Sequence, residues 1–123
     1  MPKESIKIDI PKALSDKILQ TMEMAKNTGK VRKGMNETTK AVERGIAQLV
    51  VIANDVEPEE IVMHLPVLCE EKNIPYVYVP SKQELGRSVG INVATAAACI
   101  VEPGSGKENL AEIIEGIKNL KKE

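Results

Sequence analysis

Six consecutive residues, Gln48-Leu49-Val50-Val51-Ile52-Ala53, constrain the fold of this chain more than any other stretch. The run is nearly all aliphatic and rich in β-branched side chains, so it reads as a strand. With no alternation of polar and apolar positions, that strand has to be covered on both faces. It is far too short to cross a bilayer, which takes about 20 apolar residues.

The flanking sequence supplies the covers. From 12 to about 27, Leu14, Ile18, Met22 and Ala25 recur at helical spacing, and Gly29 stops the pattern. Residues 30–33 read as a short extended segment that turns at Gly34. Asn36 then suits a helix N-cap, with Thr38, Ala41, Val42, Gly45 and Ile46 forming one apolar face. After the buried strand, Asn54-Asp55-Val56-Glu57-Pro58-Glu59-Glu60 reads as the start of a third helix, with Pro58 at its first position and its acids against the positive helix end. Pro66 is expected to bend or split that helix, leaving 67–72 as a second part. Tyr76-Val77-Tyr78-Val79 is a short strand. Ser81-Lys82-Gln83-Glu84 is a capping box for a fourth helix that ends at Gly86 or Gly90. Residues 96–101 read as the last strand. Residues 107–121 form a final amphipathic helix, with Leu110, Ile113, Ile114 and Ile117 inward.

Helices alternating with strands favour an α/β fold, a three-layer α/β/α sandwich around a small four-stranded sheet. The pattern does not fix whether the sheet is parallel or mixed; a mixed sheet is the expectation. The length, 123 residues, suits one domain, with 1–10 as an extended lead-in. Such a chain can bury about two-thirds of its unfolded surface, so it needs neither metal nor disulfide.

With no Phe or Trp, and Tyr76 and Tyr78 the only aromatics, the core must be aliphatic. The same absence argues against RNA modules that stack bases on sheet aromatics. Cys69 and Cys99 sit in apolar contexts without zinc-ligand spacing, and read as buried free thiols of a cytoplasmic protein. The N-terminus shows neither a signal core nor a transit pattern.

The net charge of −1 speaks against generic coating of nucleic acid, but the distribution is uneven. Residues 26–44 carry six bases (Lys26, Lys30, Arg32, Lys33, Lys40, Arg44) against Glu37 and Glu43, whereas 55–71 carry six acids and no Lys or Arg. Such segregation suits a small, geometrically specific site. On a helix, Glu37, Lys40 and Arg44 share one stripe, offset from the apolar face. A carboxylate can accept from a guanine's N1–H and N2–H₂, a lysine can donate to O6 or N7, and the Asn36 amide can do either. Those edges are reachable only where RNA departs from regular A-form geometry. On the local residues alone, a cap followed by solvated charges and a Glu37–Lys40 pair is the simpler account.

Ile91, Val93 and Ala94 offer an apolar pad if they lie on a loop, and core if they lie on a strand. The residues alone suit strand or core better. His64, the single histidine, reads as a satisfied helix residue rather than a base, and no Ser or Cys has a partner for nucleophilic catalysis. Glu57, Glu59 and Glu60 are explained by capping before cation binding. Pro103-Gly104-Ser105-Gly106-Lys107 lacks the spacing of a phosphate loop and reads as a turn and helix start.

Taken in order, these motifs resemble the kink-turn-binding ribosomal protein family, in its archaeal L-seven-Ae form. The resemblance runs through Thr28-Gly29-Lys30-Val31-Arg32-Lys33-Gly34-Met35-Asn36-Glu37-Thr38-Thr39-Lys40-Ala41 and Leu49-Val50-Val51-Ile52-Ala53-Asn54-Asp55-Val56-Glu57-Pro58. It continues in Ile74-Pro75-Tyr76 and Ser81-Lys82-Gln83-Glu84-Leu85-Gly86, and closes with residues 90–98. It spans nearly the whole chain, about 11 to 121.

The resemblance implies an α/β/α sandwich with no catalytic activity, cofactor or metal. Its RNA ligand would be the kink-turn, a three-nucleotide bulge followed by tandem sheared G·A pairs. Gly34 would allow close backbone approach, while Asn36, Glu37 and Lys40 would read the sheared guanines. Lys33 belongs to the same implied set; Arg44 and Lys82 would contact the RNA backbone. Ile91, Val93 and Ala94 would cover the unstacked bulge nucleotide, with Glu57 and Ile61 bordering the surface. Eukaryotic relatives differ in the 91–94 loop, which sets RNA choice, and archaeal members accept kink-loops as well. The implied partners are ribosomal RNA, box C/D and H/ACA guide RNA, ribonuclease P RNA, and other core proteins of those particles. No membrane is implied, and the free protein is expected to be a monomer. Two competing readings are a small enzyme or the substrate-recognition domain of an RNA-modifying enzyme, and a protein-binding module built on the acidic 55–71 segment.

Overall fold

The computed structural model describes residues 11–121, so the lead-in expected at 1–10 lies outside the described residues. The aliphatic run forms β2 (Leu49–Ala53), buried at every position. β2 sits inside a four-stranded sheet of order β1-β4-β2-β3, with β1 at Lys30–Lys33, β3 at Tyr76–Val79 and β4 at Ala97–Glu102. β2 runs parallel to β3, and β4 runs antiparallel to both β1 and β2, so the sheet is mixed.

One face is covered by α1 (Lys12–Thr28) and α4 (Lys82–Ser88), with α5 (Lys107–Lys121) beside α1; α2 (Met35–Glu43) and α3 (His64–Lys72) cover the other. Ile18, Met22 and Ala25 of α1 and Leu110, Ile113 and Ile117 of α5 are buried, as the helical spacing requires, and Ile114 is half-buried. The core is otherwise built from Val, Leu, Ile and Ala, with the buried thiols Cys69 and Cys99 and with Tyr76 and Tyr78 in β3. Among the described residues no helix is long and apolar enough to cross a membrane.

Four expectations need correction. First, the N-cap of α2 is Gly34, not Asn36, which lies inside the first turn. Gly34 has φ +94°, a left-handed conformation that glycine adopts at no steric cost, so β1 turns into α2 without a side-chain cap. Second, α2 stops at Glu43: the N–H groups of Gly45 and Ile46 fold back onto Val42 O at 2.9 Å and Ala41 O at 3.0 Å, closing the last turn. Gly45 and Ile46 therefore fall outside the helix and are exposed.

Third, no α-helix starts at 54–60. The chain there passes through a cis Glu57–Pro58 peptide and a single 3-10 turn, Glu59–Ile61. α3 begins only at His64, so Pro66 stands in its first turn, where an N–H has no intrahelical acceptor and nothing is broken. Fourth, residues 91–96 are a loop, and β4 starts at Ala97. α4 does carry the Ser81 half of its box as an N-cap, the Glu84 N–H donating to Ser81 Oγ at 3.2 Å. Residues 103–106 form the expected turn into α5.

Candidate nucleic-acid interface

The directions of the strands decide where the chemistry collects. β1, β2 and β3 end, and β4 begins, at the same edge of the sheet. That edge is where open α/β sheets present ligand sites. Four connections leave there: Gly34 into α2, residues 54–63 into α3, Pro80 and Ser81 into α4, and 89–96 into β4. Hydrogen bonds join them. The Gly34 N–H donates to Ala97 O at 2.9 Å, the Ala53 N–H to Ala96 O at 2.9 Å and the Asn54 N–H to Val79 O at 2.8 Å. The Thr95 N–H reaches Lys82 O at 3.1 Å.

Lys33, Gly34, Asn36, Glu37, Glu57, Ile61, Lys82, Ile91, Val93 and Ala94 all lie on these connections or within one turn of them. Lys40 stands one turn further along α2. Arg44, the C-cap of α2, keeps the stripe but lies about 10 Å along the helix from Glu37. The structure therefore gathers ten of the twelve residues, with Lys40 bordering them and Arg44 at the far end of α2.

The surface is polar on one side and apolar on the other. Asn36, Glu37 and Lys40 are exposed, and among the described residues none of their side chains forms a hydrogen bond or ion pair. The Glu37–Lys40 pair of the simpler account is thus not formed. Thr39, between them, points to the other flank: its hydroxyl donates to Met35 O at 2.8 Å and meets His64 Nε2 at 2.9 Å. His64 is satisfied by this contact and ties α3 to α2. Opposite the stripe, the 90–95 loop presents Val93, 68% exposed, and Ala94, while Ile91 is half-buried against the core. Ile61 is also exposed, at 44%.

Two side chains that hold this surface together do not stand out in the sequence. Asp55 Oδ1 accepts the Lys82 N–H at 2.9 Å, so one of the acids expected at the start of a third helix instead caps α4 across the sheet edge. Thr95 is buried and donates its hydroxyl to Ala97 O at 3.0 Å, fixing the exit of the loop. The Asn-Asp pair directly after a strand is the sequence signal for the first. Nothing in the local pattern marks the second.

A cleft of about 590 Å³ lies at the other end of β2 and β3, lined by Gln48, Glu70, Tyr76 and Ile117 among others, so none of the gathered residues reaches it. Among the described residues no cluster of three His, Cys, Asp or Glu could hold a metal ion.

The ribosomal protein L7Ae/L30e/S12e/Gadd45 family model matches residues 16–110. The chain belongs to this family. Its fold is also similar to that of a Giardia lamblia 15.5kD RNA binding protein, with a TM-score of 0.87 and 36% sequence identity over 98% of this chain and 99% of the other.

Proposed function

We propose that this member of the family is a non-enzymatic RNA-binding component of ribonucleoprotein particles. Its ligand is sharply bent RNA with tandem sheared G·A pairs, the kink-turn and the related kink-loop. The observation that carries the reading is the stripe of Asn36, Glu37 and Lys40, unpaired among the described residues, opening at Gly34 at the same end of the sheet as the exposed apolar residues of the 90–95 loop. Family membership and the RNA-binding neighbour support the same class of ligand.

In this reading Glu37 accepts from the N1–H and N2–H₂ of a sheared guanine, and Lys40 donates to its Hoogsteen edge. Asn36 is free to bond either type of group, because Gly34 and not its own amide caps the helix. The lack of a Cβ at Gly34, with open space around that position, lets the RNA backbone come close. Val93 and Ala94 pack on the extruded nucleotide, while Lys33, Lys82 and Arg44 meet phosphates. Binding the bent conformer alone stabilises it by the difference in affinity between bent and straight RNA. The bent RNA is then a platform for the large ribosomal subunit, box C/D and H/ACA guide particles, and ribonuclease P. Glu57 and the exposed Ile61, on the connection into α3, border the same RNA surface.

A titration at fixed salt of a kink-turn RNA, and of a control with its G·A pairs changed to Watson–Crick pairs, tests the reading. Tight binding to the first and weak binding to the second is expected. Equal affinity for both would overturn it.

A further inference from the structure

Two lysines from different elements converge on the turn from which the 90–95 loop departs. Lys33, at the end of β1, donates its Nζ to the Val89 carbonyl oxygen at 3.4 Å. Lys26, in the last turn of α1, lays its side chain on the open face of Gly90. A Cβ at Gly90 would stand 2.5 Å from Lys26 Cε and 3.0 Å from its Nζ. The aliphatic stem occupies the space that a side chain at position 90 would take.

Among the described residues neither ammonium is matched by an ion pair. Each has three N–H donors, and Lys33 uses one on Val89. Glu23 and Glu84 line a separate cleft of about 370 Å³ between α1 and α4, together with Arg87. Two like charges held on adjacent residues without a counter-charge make a local positive focus that an anion relieves. The turn is also the root of the apolar loop, so an anion held there lies at the base of the surface that presents Val93.

We infer that Lys26 and Lys33 together bind one backbone phosphate of the RNA, adjacent to the nucleotide held by the 90–95 loop. The inference rests on the RNA-binding reading above and adds Lys26 of α1 to the binding surface. It also gives Lys33 a double task, holding the root of the loop through Val89 and neutralising the phosphate.

The test is a salt series with the kink-turn RNA and the Watson–Crick control, using wild type, Lys26→Gln and Lys26→Arg. Lys26 is exposed, so all three should fold, and amide spectra check that they do. For Lys26→Gln the slope of log affinity against log salt should become shallower by about one. A fourfold rise in salt should then erase about 3.5-fold of the wild-type advantage. Lys26→Arg should keep the wild-type slope, and the preference for the kink-turn should survive in both variants. An unchanged slope in Lys26→Gln, with the wild-type preference intact, overturns the phosphate subsite alone. A wild type without that preference overturns the RNA reading and the subsite with it.

Discussion

Gly86 and Val93 meet backbone to backbone: a Cβ placed on Gly86 would lie 2.1 Å from the Val93 carbonyl oxygen. The loop that presents Val93 therefore rests directly on α4, and only a glycine at 86 permits that height. Gly86→Ala should lift the loop and cost about 1–3 kcal/mol, the usual range for overpacking at a tight site. Urea unfolding measures that loss. The RNA titration should show weaker binding than the stability change explains, because the displaced atoms belong to the apolar pad. Wild-type stability in Gly86→Ala would mean that the loop rests elsewhere.

Glu37 separates recognition from folding. It is exposed and, among the described residues, bonded to nothing, so Glu37→Ala should change stability by no more than about 0.5 kcal/mol. If it makes a bidentate contact to a sheared guanine, the same change should remove about 1–3 kcal/mol of preference for the kink-turn over its control. Parallel titrations of both RNAs give the difference directly. Equal losses on the two RNAs would assign Glu37 a role other than reading a base.

Asp55 reads in the sequence as one of several acids at a helix start, and the helix it caps is not the one that follows it. The buried strand at 49–53, the helical spacing of Ile18, Met22 and Ala25, and the Ser81–Glu84 box can all be read locally, because each depends on neighbours within a few positions. The bond from Asp55 to the Lys82 N–H spans 27 residues and depends on β2 and β3 running parallel, which no local pattern encodes. Asn36 misleads for a related reason. Its type suits a cap, but the positive φ of Gly34 has already made the turn two residues earlier. Removing the Asp55 carboxylate in Asp55→Ala should cost about 0.5–2 kcal/mol, as for other lost helix caps. Thermal unfolding of that variant beside Ser81→Ala would show whether the two caps of α4 contribute independently.

Cys99 sits at the centre of β4 and is fully buried. Burial pushes its thiol up to about 11, from an ordinary value of 9.0, although Arg32 pulls slightly the other way. Its folded value exceeds its unfolded one, so the native state holds a proton that the unfolded chain has lost between those two pH values. The stability tied to this thiol is fully present below pH 9 and declines as pH rises towards 11, by about 1.4 kcal/mol per pH unit at most. Tyr76 and Tyr78, raised chiefly by burial as well, extend the loss to higher pH. Denaturant midpoints from pH 8 to 11 should fall, and less steeply in Cys99→Val. A flat profile would show that the strand opens easily enough to ionise in place.

Val93 and Ile91 divide the loop between two duties, and the division gives the last prediction. Ile91 is half-buried against the core, and its N–H donates to Gly86 O at 3.1 Å. Val93 is 68% exposed and offers its side chain outward. Truncating Ile91 to Ala should therefore lower both stability and RNA affinity, since the loop's attachment and its surface change together. Val93→Ala should leave stability within about 0.5 kcal/mol of wild type, because almost nothing in the protein touches that side chain. If Val93 covers an extruded nucleotide as proposed, its effect belongs to the bound state, where the two carbons lost in Val93→Ala would count at about 0.8 kcal/mol per methylene-sized group. The loss should be the same for RNAs with any base at the extruded position, since an apolar contact reads shape and not donors or acceptors. A Val93→Ala loss that varies strongly with that base would mean that a hydrogen bond, from Asn92 or the loop backbone, holds the nucleotide in place of the apolar pad.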